Sequence, residues 1–300
     1  MAGKSPKKIE DQISLLLSRD MLFRDISNAP HFLANISYYR LKGYWWELQD
    51  DKVNHHFSQC TYFEDIIDVY NFDRHFRLIV FNAIERIEIA LRTKLIYYLS
   101  LNHGECWYMN QNLFTDKIKH ASFLTHLYRE MNNSSEEFMK SHFKNHPNDY
   151  PESWKALEVL TLGTLSKVYD NLHHQLPSKS AIANEFGLNS VKDFSSWLRT
   201  ITLIRNIIAH HSRLWNRVII TQYSWPKDMQ NELLDYTPDS KRRKKIFPIL
   251  VGIIYLNNKI SPGHSLLKEL KELLDLFPKV PIYKMGFPPS WDSQPIFNKS

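Results

Sequence analysis

The sequence predicts an all-α protein, and three observations carry that prediction. The 300 residues include only 8 glycines, while 13% of them are aromatic; few glycines and many long side chains favour helices with thick apolar faces. The stretch from Thr61 to His103 contains no glycine or proline, and apolar residues recur along it at helical spacing. Nowhere does a run of any length alternate between apolar and polar residues as a half-buried strand does, and there is no internal repeat.

The elements follow in order. Residues 7 to 18 read as a short amphipathic helix, and 27 to 48 as two helices broken near Gly43. Within the latter lies YYRLKGYWW, 38 to 46, an aromatic cluster with Arg40 and Lys42; such density reads as core first and as a base-stacking surface second. Thr61 and Glu64 fit a capping box. From 62 to about 100 the pattern predicts one helix, or two joined end to end, on the order of 60 Å long at 1.5 Å per residue. Residues 115 to 143 read as helical and more polar, 146 to 153 as a loop, and 154 to 175 and 178 to 186 as shorter helices. Ser190 with Asp193 opens a further helix. SWP, 224 to 226, and TPDS, 237 to 240, punctuate the segment after it; helices are predicted near 242 to 257 and 264 to 276. The Pro- and aromatic-rich tail is predicted to be extended and packed on the body.

Composition narrows the function classes. At 43% apolar and 23% charged residues the chain is globular and not disordered. The longest mostly apolar run, IFPILVGIIYL, is far short of the roughly 20 residues of a membrane span, and the N-terminus has no apolar signal-peptide core. Cys60 and Cys106 have neither disulfide-framework nor metal-ligand spacing, so a reducing compartment is expected. The net charge of +6 leans toward a polyanionic partner. No glycine-rich phosphate loop is present, the adjacent His55-His56 and His173-His174 pairs lack further ligands, and no metal or cofactor is expected.

The chemistry concentrates in RNIIAHHSRLWNR, 205 to 217. Placed on a helix at about 100° per residue, Arg199, Thr202, Arg205, Asn206 and His210 share one side, and Trp197, Ile201, Ile204 and Ile208 share the other. Leu198 and Leu203 flank the polar stripe, which suits a surface that meets another surface. Either this is a solvated face, or it is a phosphodiester-cleaving site. His takes or gives a proton near neutral pH, Arg grips a phosphate through two donors, and Asn206, four residues before His210, can orient the imidazole. Those parts suffice for metal-independent RNA cleavage, in which the ribose 2′-OH attacks its own phosphate and leaves a 2′,3′-cyclic phosphate and a 5′-OH. One Arg and one His are few for both acid and base; a two-fold dimer pairing this face with itself would supply two of each.

A second stripe, Tyr70, Arg74, Arg77, Phe81, Glu85, Glu88 and Arg92, lies on one side of the long helix. It is either a surface ion-pair ladder or a set in which Glu85 or Glu88 supports Arg205 or His210 while Arg74 and Arg77 hold RNA. Arg199, Arg213 and the run Lys241, Arg242, Arg243, Lys244, Lys245 are the further candidate RNA contacts.

Segments HFLANISYYRLKGYW, TYFEDIIDVYNFDRHFRLIVFNAIERIEIALR, WKALEVLTLGTLSKVYDNL, SWLRTITLIRNIIAHHSRLWNR, ISPGHSLLKELKELLDLFP and MGFPPSW together make the chain resemble the Abi-like family of bacterial abortive-infection proteins, within the wider HEPN superfamily. The resemblance covers nearly the whole chain. It implies an all-helical HEPN-like bundle with a long spine helix, usually dimeric. It implies one domain over 1 to 300: N-terminal helices to 60, a core from 61 to 217, and C-terminal helices and tail from 218. It matches Arg205 and His210 to the superfamily's R-x4-6-H ribonuclease motif, with Asn206 in the place that often follows the Arg. The implied activity is a metal-independent endoribonuclease of the bacterial cytoplasm, acting in phage defence or a toxin–antitoxin setting and restrained by or complexed with a small non-coding RNA. Some HEPN proteins keep the fold without activity, so the alternative is an RNA-binding protein that holds a non-coding RNA and cuts nothing. A protein-interaction scaffold is a third reading.

Overall fold

In the computed structural model, residues 5–221, 223–225 and 233–298 are described. Three short helices, α1 (Ile9–Leu17), α2 (Ala29–Ile36) and α3 (Tyr38–Trp45), lead into α4 (Phe63–His103). Helix α4 is a single uninterrupted helix of 41 residues, about 60 Å long, and it stops at Gly104, whose φ of 87° the preceding helix cannot continue. Its inner face repeats at helical spacing: Phe72, Phe76, Val80, Ala83, Ile87, Leu91, Leu95 and Leu99 are completely buried. Then come α5 (Lys117–Asn133), α6 (Glu137–Asn145), α7 (Ser153–Ala156), α8 (Leu162–Asn171), α9 (Pro177–Glu185) and α10 (Val191–Ala209), followed by α11 (Ile246–Ile260), α12 (Leu266–Leu276) and the short α13 (Pro295–Asn298).

Helix α4 packs against α3, α9, α10, α11 and α12. The apolar run noted in the sequence becomes α11, in which every residue from Ile246 to Asn257 is buried. Two contacts fix its register. Asn257 donates from Nδ2 to the Ala83 carbonyl at 3.2 Å, and at Gly252 the α10 side chain Trp197 lies so near that a Cβ would sit 2.2 Å from its ring. Lys179, buried at the start of α9, donates to the Asp170 and Leu172 carbonyls at 3.0 and 2.7 Å, which satisfies the open C-terminal end of α8. Among the described residues no helix is long and apolar enough to cross a membrane.

Several local expectations change in the folded chain. The break between the second and third helices is at Ser37 (φ 74°), whose hydroxyl accepts from the Arg40 amide at 3.3 Å; Gly43 lies inside α3. Thr61 and Glu64 do not form a capping box, because the Glu64 carboxylate accepts instead from the amides of Arg24 and Asp25 at 3.0 to 3.1 Å and Thr61 Oγ1 donates to the Ser58 carbonyl. Residues 115 to 143 divide into α5 and α6, and 154 to 175 into α7 and α8. Strands β1 (Gln49–Asp51) and β2 (His56–Phe57) form a small antiparallel pair. The tail is not extended throughout: it coils into 3-10 turns at Ile282–Met285 and Trp291–Ser293 before α13, and Met285, Phe287, Ile296 and Phe297 bury its apolar side chains. Pro226 of SWP lies outside the described residues.

Candidate functional site

Helix α10 begins where its sequence places it. Ser190 Oγ accepts from the Asp193 amide at 3.2 Å, and Phe194, Trp197, Leu198, Ile201 and Ile204 are buried against the body. Leu198 is therefore core, and only the half-buried Leu203 of the two flanking leucines reaches the surface. At the other end Ala209 is the last helical residue and His210 is the cap. His211 takes a left-handed conformation, φ 54°. The His211 amide donates to the Ile208 carbonyl at 2.8 Å and the Ser212 amide to the Ile207 carbonyl at 3.0 Å. That pair of bonds is a Schellman ending, in which glycine ordinarily holds the left-handed position. A histidine there carries roughly 1–2 kcal/mol of backbone strain.

An exposed arginine, Arg40, and the buried Arg77, Asp73 and Tyr44 hold this turn in place. Arg40 Nη1 and Arg77 Nη1 both donate to the His211 carbonyl, at 2.7 and 2.8 Å, and Arg77 Nη1 also reaches the Ser212 carbonyl at 3.0 Å. Asp73, with no exposed surface, accepts from the Leu214 amide at 3.0 Å, the Trp215 amide at 2.6 Å and the Tyr44 hydroxyl at 2.7 Å. It lies 3.6 Å from Arg77. Burial pushes the Asp73 carboxyl up, opposed by Arg77, Tyr44 and the two amides. Burial and the Asp73 carboxylate push the Tyr44 hydroxyl up, so it stays a donor. Residues 211 to 215 are thus pinned by α3 and α4, and His210 stands at a fixed exit from α10.

Arg205 is half-buried, and Asn206 and His210 are exposed. Their side chains make no hydrogen bond or ion pair with the described residues. Asn206 and His210 meet through the backbone, the His210 amide donating to the Asn206 carbonyl at 3.1 Å. Arg205, Asn206 and His210 therefore turn away from the apolar face, with side-chain donors and acceptors that the described residues leave unengaged.

The other candidates divide into those that lie open and those already engaged. Arg77 is only 6% exposed and spends its guanidinium on the turn after His210, which makes it a positioning residue and not a phosphate contact. Glu88 accepts from the Leu162 amide at 3.0 Å at the start of α8 and from Arg92 at 3.4 Å. Arg92 donates to the carbonyls of Leu157 and Leu160. The Glu88–Arg92 pair therefore fastens the α7–α8 turn and does not orient Arg205 or His210. Glu85 and Arg74 are exposed. Arg199 pairs with Asp170 at 2.9 Å on the surface.

Arg213 stacks over Tyr44 and Trp215, 5.9 Å from each ring centre. Of the basic run, Arg243 donates to the Pro238 carbonyl at 2.9 Å and Arg242 lies 3.9 Å from Asp239. Lys241 and Lys244 are exposed. Lys245 donates to Asn216 Oδ1 at 2.8 Å. Among the described residues no three His, Cys, Asp or Glu side chains converge as metal ligands would.

Sequence reading missed Asp73, Arg40 and Tyr44. The available signal was Asp73 itself: a carboxylate on the apolar face of α4, four residues before an Arg, must find buried donors.

The profile of a family described as Abi-like protein matches residues 31–216, well over half of the 300 residues. The chain belongs to that Abi-like family. The matched span of this Abi-like protein takes in α2 to α10 and the pinned turn; the basic run at 241 to 245 and the tail lie beyond it. No curated protein matches the chain, and no solved structure does.

Proposed function

We propose that this Abi-like protein is an abortive-infection endoribonuclease of the HEPN type that cuts RNA without a metal. His210 is the general acid/base, Arg205 stabilises the phosphate and Asn206 positions the imidazole. The observation that carries the reading is an Arg, an Asn and a His that the described residues leave unengaged, on the outer side of α10 and at its cap, where Asp73, Arg77, Arg40 and Tyr44 hold the exit turn. Rigid presentation of free proton-transfer and phosphate-binding groups is what an in-line attack by the 2′-OH requires.

One protomer offers one such set. A second copy would complete the site, and an exposed apolar stripe on α4, Leu78, Phe81 and Ile89, is available for that pairing. A small non-coding RNA would restrain the enzyme by covering the Arg205–His210 face. The bacterial cytoplasm is the setting, in keeping with two free cysteines.

The test compares wild type with His210→Ala on total bacterial RNA in EDTA. The expected result is cleavage by wild type alone, at a rate about 10²–10⁴-fold above the variant, with 2′,3′-cyclic phosphate ends. Equal activity of the variant, or a need for Mg²⁺, refutes the proposal. A second reading, an RNA-binding protein that holds a non-coding RNA and cuts nothing, is favoured by the motif's supplying only one His, His210, per protomer for both acid and base. It predicts co-purified RNA with intact, defined ends.

A further inference from the structure

Beside the pinned turn the chain gathers positive charge from three places distant in sequence. Arg213 and Arg217 come from the turn itself, Lys241 and Lys245 from the basic run, and Lys284 from the tail. Lys284 Nζ stands 5.8 Å from the centre of the Trp215 ring, the same ring that Arg213 faces at 5.9 Å. Trp215 is buried, so one aromatic wall fixes both cations by cation–π contact.

Lys245 is placed by a bond from Nζ to Asn216 Oδ1 at 2.8 Å, and Asn216 itself is held in a left-handed conformation, φ 49°. Burial draws the Lys245 ammonium down, and Arg213, Lys241 and Lys284 repel it further, against Glu47. Arg213 is likewise drawn down by burial, with Arg217 repelling it and Tyr44, Asp73 and Glu47 opposing. All but the exposed Lys241 are half-buried.

Glu47 offsets part of this repulsion, but the cluster of Arg213, Arg217, Lys241, Lys245 and Lys284 keeps a net positive charge that a polyanion would offset. Among the described residues their donors are not used up. An ammonium has three N–H groups, and Lys245 gives one to Asn216. The basic run seen in sequence is thus divided by the fold: Arg242 and Arg243 turn to Asp239 and Pro238, Lys245 turns to this cluster, and the exposed Lys241 adds its charge to both sides.

We infer that Arg213, Lys245 and Lys284, backed by Trp215, form a phosphate-binding cradle for single-stranded RNA, separate from the Arg205–His210 site and next to it. The inference rests on the nuclease reading only for the identity of the polyanion. Arg213 lies three positions after His210, so their Cα atoms are at most about 11 Å apart, and the cradle holds a backbone phosphate within a few nucleotides of the one at His210. Contacts of this kind fix register and supply affinity without reading bases. The tail, outside the matched family span, thereby contributes to RNA binding through Lys284.

The test measures binding of a fluorescent mixed-sequence single-stranded 12-mer RNA to the full chain in the His210→Ala background, so that it does not depend on cleavage. Lys245→Gln with Lys284→Gln is expected to weaken binding about tenfold at moderate salt and to lower the slope of log K against log salt by about 1.4, 0.7 for each phosphate no longer neutralised. Replacing the same two residues by Arg keeps the charge and is expected to retain binding. The control pair Lys140→Gln with Lys144→Gln, exposed on α6, removes the same charge elsewhere. Equal weakening in the control and the cradle variant overturns the cradle, as does weakening in the Arg variant, which would point to disturbed packing. Normal binding with no cleavage by wild type would overturn the nuclease reading and leave the cradle standing.

Discussion

Asp73 offers the sharpest test of how the site is built. Its carboxylate, with no exposed surface, accepts two backbone amides and a tyrosine hydroxyl and faces Arg77 at 3.6 Å. Asp73→Ala removes every one of those acceptors at once. Each buried donor left without a partner costs about 1–3 kcal/mol, and breaking a buried pair by deleting one member costs about 3–5 kcal/mol. Arg77 keeps its two carbonyl partners, which limits the total, so a destabilisation of about 4 kcal/mol is expected.

Asp73→Asn keeps one carbonyl oxygen for the two amides and should be destabilised about half as much. Urea unfolding followed by circular dichroism at 222 nm reads both, provided the slope with denaturant is unchanged. A cycle with Arg77→Met should show the double variant at least about 1 kcal/mol more stable than the sum of the single effects predicts, because the two groups share one network. An Asp73→Ala variant within about 1 kcal/mol of wild type, or additivity across the cycle, refutes the claim that this network pins the turn after His210.

The other expected outcomes come from single contacts. His211→Gly relieves the left-handed strain at the Schellman position and should stabilise the chain by about 1 kcal/mol, read as a rise in melting temperature; a fall would mean that the His211 side chain contributes more than the strain costs. Gly252→Ala should destabilise by about 3 kcal/mol, the upper range for overpacking, since its Cβ would lie 2.2 Å from the buried Trp197 ring; an unchanged melting temperature would contradict the helix spacing described. His264 is held neutral. Nδ1 accepts from the Leu266 amide, Nε2 donates to Asn258 Oδ1 at 2.7 Å, and burial, then the Arg86 charge, lowers its pKa, with Glu269 opposing. The unfolded chain therefore takes up that proton first. The contribution is complete above about pH 6.5 and is lost as pH falls through the lower folded value. His264→Gln should flatten the decline in melting temperature between about pH 7 and 5; an unaltered slope would remove His264 from the account.

What the sequence determined by itself is whatever depends on neighbours within about four residues. The absence of Gly and Pro from Thr61 to His103 made α4 continuous, Ser190 started α10, and the spacing of Trp197, Ile201 and Ile204 chose its buried face. With that face settled, Arg205, Asn206 and His210 could only point the other way. The tertiary structure decided what depends on distant partners. Arg77 and Arg40 meet the His211 carbonyl across 134 and 171 residues, so an arginine that local spacing offered as an RNA contact is instead the support of the site. Glu64 left its predicted cap for two amides about forty residues earlier. The basic run was legible as charge, but which of its cations face the turn after His210 depends on Trp215 and on Lys284 from the tail. Periodicity and capping are read along one chain direction; a carbonyl's donor or a cation's aromatic wall comes from elements that only packing brings together.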